Sequence, residues 1–154
     1  MCNIDYIMYL IDWNRSLDEQ QKGIQLAKEV KCLKAFFQPC GPSCGKKVWE
    51  NCARILADRT DEELLPYIFD LILWLQDANW PGADVIVGRL QQFENVIVLV
   101  HWIERLVPFI SSTDDNLWLI SIAELLLNPD IKRKLNDETV HLLLDALALL
   151  DDEV

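Results

Sequence analysis

Glycine, histidine and long apolar runs are all scarce in this chain, and each scarcity removes a class of explanation. The 154 residues include 5 Gly and 2 His. There is no Gly/Ser linker, no P-loop and no dinucleotide fingerprint; G-x-S-x-G and H-E-x-x-H are absent too. No stretch approaches the ~20 consecutive apolar residues that cross a bilayer. Asp5 and Asp12 interrupt the first apolar residues, and no Lys or Arg precedes them, unlike a secretory leader. Strand-type alternation is almost missing. These absences set the expectation: a soluble, cytoplasmic protein without catalytic residues, cofactor or membrane partner.

What is present is apolar and helical. Apolar residues make up 51% of the chain and charged residues 25%, a globular rather than disordered balance. The length suits one domain, 1–154, with its own core. Ser16 with Glu19, and Thr60 with Glu63, are capping-box pairs that open helices. The spacing predicts helices over about 4–13, 17–31, 46–58, 60–76 with a kink at Pro66, 80–93, 95–110, 113–127 and 137–150, plus a helical turn at 130–135. Val96-Ile97-Val98-Leu99-Val100 resembles a buried strand. The apolar residues continue at helical spacing through Trp102, Ile103, Leu106 and Ile110, however, and the segment reads as a central helix. Pro39-Cys40-Gly41-Pro42-Ser43-Cys44-Gly45 cannot continue a helix and forms the one clear loop. The fold class is all-α, with eight or nine helices stacked as antiparallel pairs.

Trp74-Leu75-Gln76-Asp77-Ala78-Asn79-Trp80-Pro81-Gly82-Ala83 reads as a sharp corner between two helices. Asn79 is its expected N-cap, with Pro81 and Gly82 in the first turn. Trp74, Asp77, Asn79 and Pro81 are the expected structural residues of the corner. Tyr9-Leu10-Ile11-Asp12-Trp13-Asn14 is a faint echo of it, with Gly23 matching Gly88 at the same offset. Ile110 to Trp118 is a more degenerate third version. Recurring helix pairs of this kind suggest a short solenoid.

The segment Leu71 to Ala83 resembles the signature of a bacterial family of small, uncharacterised, HEAT-like helical domains: a Leu-rich helix, then Trp-Leu-Gln-Asp-x-Asn-Trp-Pro and a small residue. Asp114-Asp115-Asn116-Leu117-Trp118 and Trp49-Glu50-Asn51-Cys52-Ala53 are similar to further parts of it, and the likeness is best over 46–127. The resemblance implies a right-handed stack of helix pairs and carries over no catalytic residue. Some helical-repeat domains of this kind look like immunity or adaptor proteins, an association by fold alone. The Val-Arg pair of ordinary HEAT repeats has no clear counterpart, and Asp84-Val85 stands near its place.

The charge is lopsided. Residues 1–59 carry 9 Lys+Arg against 7 Asp+Glu, a net of +2, and residues 60–154 carry 5 against 18, a net of −13. The acidic part repels nucleic acid and anionic membranes and attracts a basic protein. Nucleic-acid binding would need Lys22, Lys28, Lys31, Lys34, Lys46 and Lys47 to converge. Trp80, Asp114 and Asp115 are the candidate interaction surface, because tryptophan is enriched among interface hot spots. The alternative is a small metal-dependent enzyme or ligand-binding protein. It would use His101 with Glu104, or His141 with Asp137, Glu138 and Asp145, each set on one helix face. Cys32, Cys40, Cys44 and Cys52 have seven, three and seven residues between them. Only Cys40 and Cys44 loosely fit a zinc-ligand pair, so reduced thiols on a loop are the simpler reading. Cys52 falls on an apolar helix face, as an ordinary small hydrophobe.

Overall fold

The computed structural model describes residues 3–41 and 43–152, without the side chain of Cys40. Among them there is no strand; the α-helices are α1 (Ile4–Leu10), α2 (Leu17–Ala27), α3 (Trp49–Ala57), α4 (Asp61–Leu64), α5 (Ile68–Trp74), α6 (Ala83–Gln91), α7 (Ile97–Ser112), α8 (Asn116–Ala123), α9 (Pro129–Lys134) and α10 (Asp137–Asp151). Short 3₁₀ turns join several of them.

Local chemistry explains most of the boundaries. Both predicted capping boxes are closed: the Ser16 hydroxyl accepts from Glu19 N–H at 3.2 Å while Glu19 accepts from Ser16 N–H at 3.1 Å, and Thr60 and Glu63 repeat the exchange. Pro66 breaks its helix as expected, and residues 65–67 tighten into a 3₁₀ turn between α4 and α5. The strand-like run at 96–100 is helical from Ile97, and α7 continues to Ser112 with Pro108 inside it. Several helices are shorter than predicted: α1 stops at Leu10 rather than 13, and α2 at Ala27 rather than 31. Residues 46–48 are a 3₁₀ turn ahead of α3.

One core of mutually packed side chains runs from Ile7 to Ala146. Two rows of contacts cross it. In one, α3 packs on α6, and α6 on residues 124–127; in the other, α5 packs on α7, and α7 on α10. At one end α1 lies on α2, and at the other α8 lies on α10. The approach of α2 to α1 needs a residue without a side chain. A Cβ on Gly23 would sit 2.6 Å from Ile11 Cγ2 and 2.9 Å from Leu10 Cβ.

Candidate functional site

The tryptophan corner is real, but its cap is not Asn79. Asp77 Oδ1 accepts from Asn79 N–H at 2.8 Å, an Asx turn, and a second turn follows as Ala83 N–H donates to Trp80 O at 3.0 Å. Helix α6 therefore starts at Ala83 instead of Trp80, and its N-cap position is Gly82 in the left-handed region, φ 86°. Glycine is required twice over, because a Cβ here would lie 2.5 Å from Ala53 Cβ and 3.2 Å from Trp49 O. Trp74 is fully buried and its indole N–H donates to Pro81 O at 3.2 Å, which closes the corner. Trp49 meets Trp74 and Trp80 edge-on, at 6.3 and 5.5 Å between ring centroids. The indole of Trp80 thus works as a half-buried wedge against α3.

The echo at residues 9–14 shares the turn. Asp12 Oδ1 accepts from Asn14 N–H at 2.9 Å, as Asp77 does from Asn79. The likeness ends there. Gly23 is a close approach, whereas a Cβ on Gly88 would meet nothing within 4 Å. The third corner is built differently: Asp114 has φ 57°, and Asp115 caps α8 by accepting from Trp118 N–H at 3.2 Å.

A series of latches was not visible in the sequence. Arg59 Nη2 donates to Ala27 O at 2.6 Å and Val30 O at 3.0 Å; Arg89 Nη2 donates to Arg59 O at 2.9 Å and to the Asp61 carboxylate; Asn128 Nδ2 donates to Gln91 O at 2.8 Å and Phe93 O at 3.3 Å. Each backbone carbonyl so bound lies 29–37 positions from the side chain that holds it. The Arg59 and Arg89 side chains are about nine-tenths buried. Buried guanidinium donors on backbone carbonyls fix orientation as well as distance. The signal in the sequence was the pair of arginines itself, 30 residues apart.

The two histidines are placed apart from any such convergence. His101 is exposed and lies edge-on to Trp102 at 5.9 Å; Glu104, its expected partner, instead accepts from Asn136 N–H at 2.7 Å and ties α7 to the start of α10. His141 is exposed on α10. Among the described residues no three His, Cys, Asp or Glu side chains are grouped so as to hold a metal. Cys32 and Cys44 are exposed thiols, and Cys52 is buried with its Sγ 3.9 Å from Met8 Sδ. Burial pushes the Cys52 thiol well above its ordinary range, which makes it a poor nucleophile. The pairing of Cys40 with Cys44 lies outside the described side chains.

Four lysines of the first segment have separate partners. Lys22 donates to Tyr6 Oη, Lys28 pairs with Asp58, Lys47 with Asp12, and Lys46 stands over Trp49. A polar depression of about 490 Å³ is lined by Thr60, Asp61, Glu62, Arg89, Gln92 and Glu94, and its Arg89 and Asp61 are already engaged with each other. No described helix is long and apolar enough to cross a membrane.

Residues 45–152 match the model of a domain of unknown function, DUF5071. The chain belongs to that family. The DUF5071 span takes in the tryptophan corner, the Arg89 latch and the helices from α3 to α10; it begins after α1 and α2, so the carbonyls of Ala27 and Val30 that Arg59 holds lie outside it. No curated protein and no solved structure matches the chain.

Large apolar side chains are exposed at the far end of the DUF5071 span. Leu117 is 66% exposed, Leu127 79%, Leu144 43%, and Leu149 and Leu150 are nearly half exposed. Leu117, Leu149 and Leu150 line one groove, between α8 and the end of α10, and Leu127 and Leu144 line another, between residues 123–127, α9 and α10. Asp114 and Asp115 immediately precede α8 and line neither groove, and Trp80 belongs to the corner between α5 and α6.

Proposed function

We propose that this protein is a non-enzymatic interaction module: a short right-handed stack of antiparallel helix pairs that binds a basic protein partner, in the manner of an immunity-type or adaptor protein. The latches at 29–37 residues and the two rows of helix contacts support the stack, since a repeat architecture joins each helix pair only to its neighbours. The observation that carries the binding role is the exposed leucine face between α8 and α10. A contiguous apolar surface rimmed by polar residues is characteristic of an interaction site. Asp114, Asp115 and the net of −13 over residues 60–154 favour a cationic partner.

Affinity capture of the tagged protein from its native cells, eluted by a salt gradient, tests this. A single stoichiometric basic protein released by salt is the expected result. Repeated empty captures from expressing cells would refute it. A metal-dependent role for the His101 or His141 face predicts stoichiometric metal in the purified protein, read by elemental analysis.

A further inference from the structure

We infer that the groove between α8 and α10 receives an amphipathic helix with an apolar stripe flanked by lysine or arginine. This deepens the interaction reading above and rests on it. One groove, of about 390 Å³, is lined by Leu117, Ile120, Leu149, Leu150 and Asp152 with Asn116. Its neighbour, of about 330 Å³, is lined by Ala123, Leu126, Leu127, Leu144, Leu147 and also Glu124 and Lys132. The beginning of α8 thus faces the end of α10 in the first groove, and residues 123–127 face the middle of α10 in the second. The residues that α8 and the following turn contribute to the two grooves fall within 116–127, a segment of about 18 Å at helical rise, and some three turns of a docked helix would match it.

The leucines supply the apolar floor, and the acidic segment that carries them favours a cationic partner. Residues 114–152 contain nine carboxylates (Asp114, Asp115, Glu124, Asp130, Asp137, Glu138, Asp145, Asp151, Asp152) against Lys132, Arg133 and Lys134. Glu124 and Asp152 line the grooves themselves, and Asp145 is exposed on α10 next to Leu144. A second copy offering the same face would set carboxylates against carboxylates across an isologous contact. A cationic amphipathic helix meets both requirements at once, with leucine-type anchors at i, i+3, i+4 and i+7 in the grooves and its cations over the rim.

The test uses the full chain and a synthetic amidated peptide of about 18 residues, Leu at i, i+3, i+4 and i+7 and Lys elsewhere, titrated by calorimetry. Its controls are the same composition scrambled and the same sequence with Glu for Lys. The patterned Lys peptide is expected to bind with unit stoichiometry, at least about tenfold more tightly than either control. Combining Leu117→Asp with Leu127→Asp is expected to weaken it by at least about tenfold. Both leucines are largely exposed, so the fold persists, and the added carboxylates attract lysine, so a loss reports the apolar contact alone. Glu124→Lys, a second variant, is expected to weaken binding without altering the floor. Equal binding of the scrambled peptide, or binding untouched by the leucine variants, would overturn the assignment. So would a dimer in sedimentation that the leucine variants dissolve, which would make a second copy the occupant. A partner captured from cells that still binds the Leu117→Asp, Leu127→Asp protein would sink this groove and leave the interaction reading standing.

Discussion

Replacing Gly82 by alanine is the sharpest test of the corner. The substitution adds one methyl group, and two separate costs follow from where it must go. Gly82 has φ 86°, a left-handed conformation that costs an L-residue about 1–2 kcal/mol. The new Cβ would stand 2.5 Å from Ala53 Cβ, 3.2 Å from Trp49 O and 3.3 Å from Glu50 Cα. Those atoms belong to α3, whose backbone is held by its own hydrogen bonds and by Asn51, which donates to Ile11 O at 2.8 Å. Relief therefore has to come from moving α6 away from α3, an overpacking penalty of about 1–3 kcal/mol. The sum is about 2–5 kcal/mol, or roughly 4–20 °C in melting temperature for a chain of this size.

Denaturant unfolding with linear extrapolation measures this directly. Gly88→Ala is the internal control, since a Cβ there meets nothing within 4 Å and the residue lies inside α6. It should stabilise by about 0.5–1 kcal/mol, the ordinary helical preference for alanine. Ala53→Gly, alone and combined with Gly82→Ala, completes a double-mutant cycle whose coupling energy reports the methyl–methyl contact. A Gly82→Ala protein within about 0.5 kcal/mol of the parent, the range of an ordinary surface substitution, would refute the close approach of α6 and α3.

Arg89→Met should cost about 2–4 kcal/mol in equilibrium unfolding, since it removes charge-assisted bonds to Arg59 O and Asp61, while Arg105→Met on the exposed side of α7 should change little. The N–H groups of Ser16 and Thr60 hold the Glu19 and Glu63 carboxyls below the usual glutamate range. Their stabilisation is complete above the unfolded glutamate pKa and is lost as pH falls through the lower folded values. The melting temperature should accordingly drop more steeply between about pH 5 and pH 3 in the parent than in a Glu19→Gln, Glu63→Gln variant. Thiol titration of the native protein should label Cys32 and Cys44 rapidly and Cys52 only on unfolding, because Cys52 is buried and its thiolate disfavoured. Fast labelling of Cys52 in the native state would contradict its packing against Met8.

Elements whose cause is local were readable from the residues. Ser16–Glu19 and Thr60–Glu63 announce helix starts because the whole exchange of hydrogen bonds takes place within four residues. Pro66 announces a break for the same reason. The corner was found by its tryptophans and Asp77, yet its cap was misplaced, because the choice of Gly82 over Asn79 is made by Ala53 and Trp49, some 30 residues away. Glu104 shows the same limit. On its own helix it shares a stripe with His101, but the start of α10 takes its carboxylate.

The latches and the leucine face show why the candidate site was only half legible. Arg59 and Arg89 stand 30 residues apart, and their partners are backbone carbonyls, which no residue pattern displays. Periodicity likewise cannot separate the leucines of α8 and α10 that enter the core from those that do not. Leu119 and Leu143 are buried while Leu117 and Leu144 are exposed, although each pair is close in sequence and identical in chemistry. What distinguishes them is tertiary packing: Leu119 and Leu143 enter the common core, and Leu117 and Leu144 do not. The charge balance was legible as a count but not as a place: the carboxylates that line the grooves are Glu124 and Asp152, not the Asp114 and Asp115 singled out from the sequence. Exposed charges are screened by salt, so under the proposed reading the apolar contact has to supply the lasting affinity.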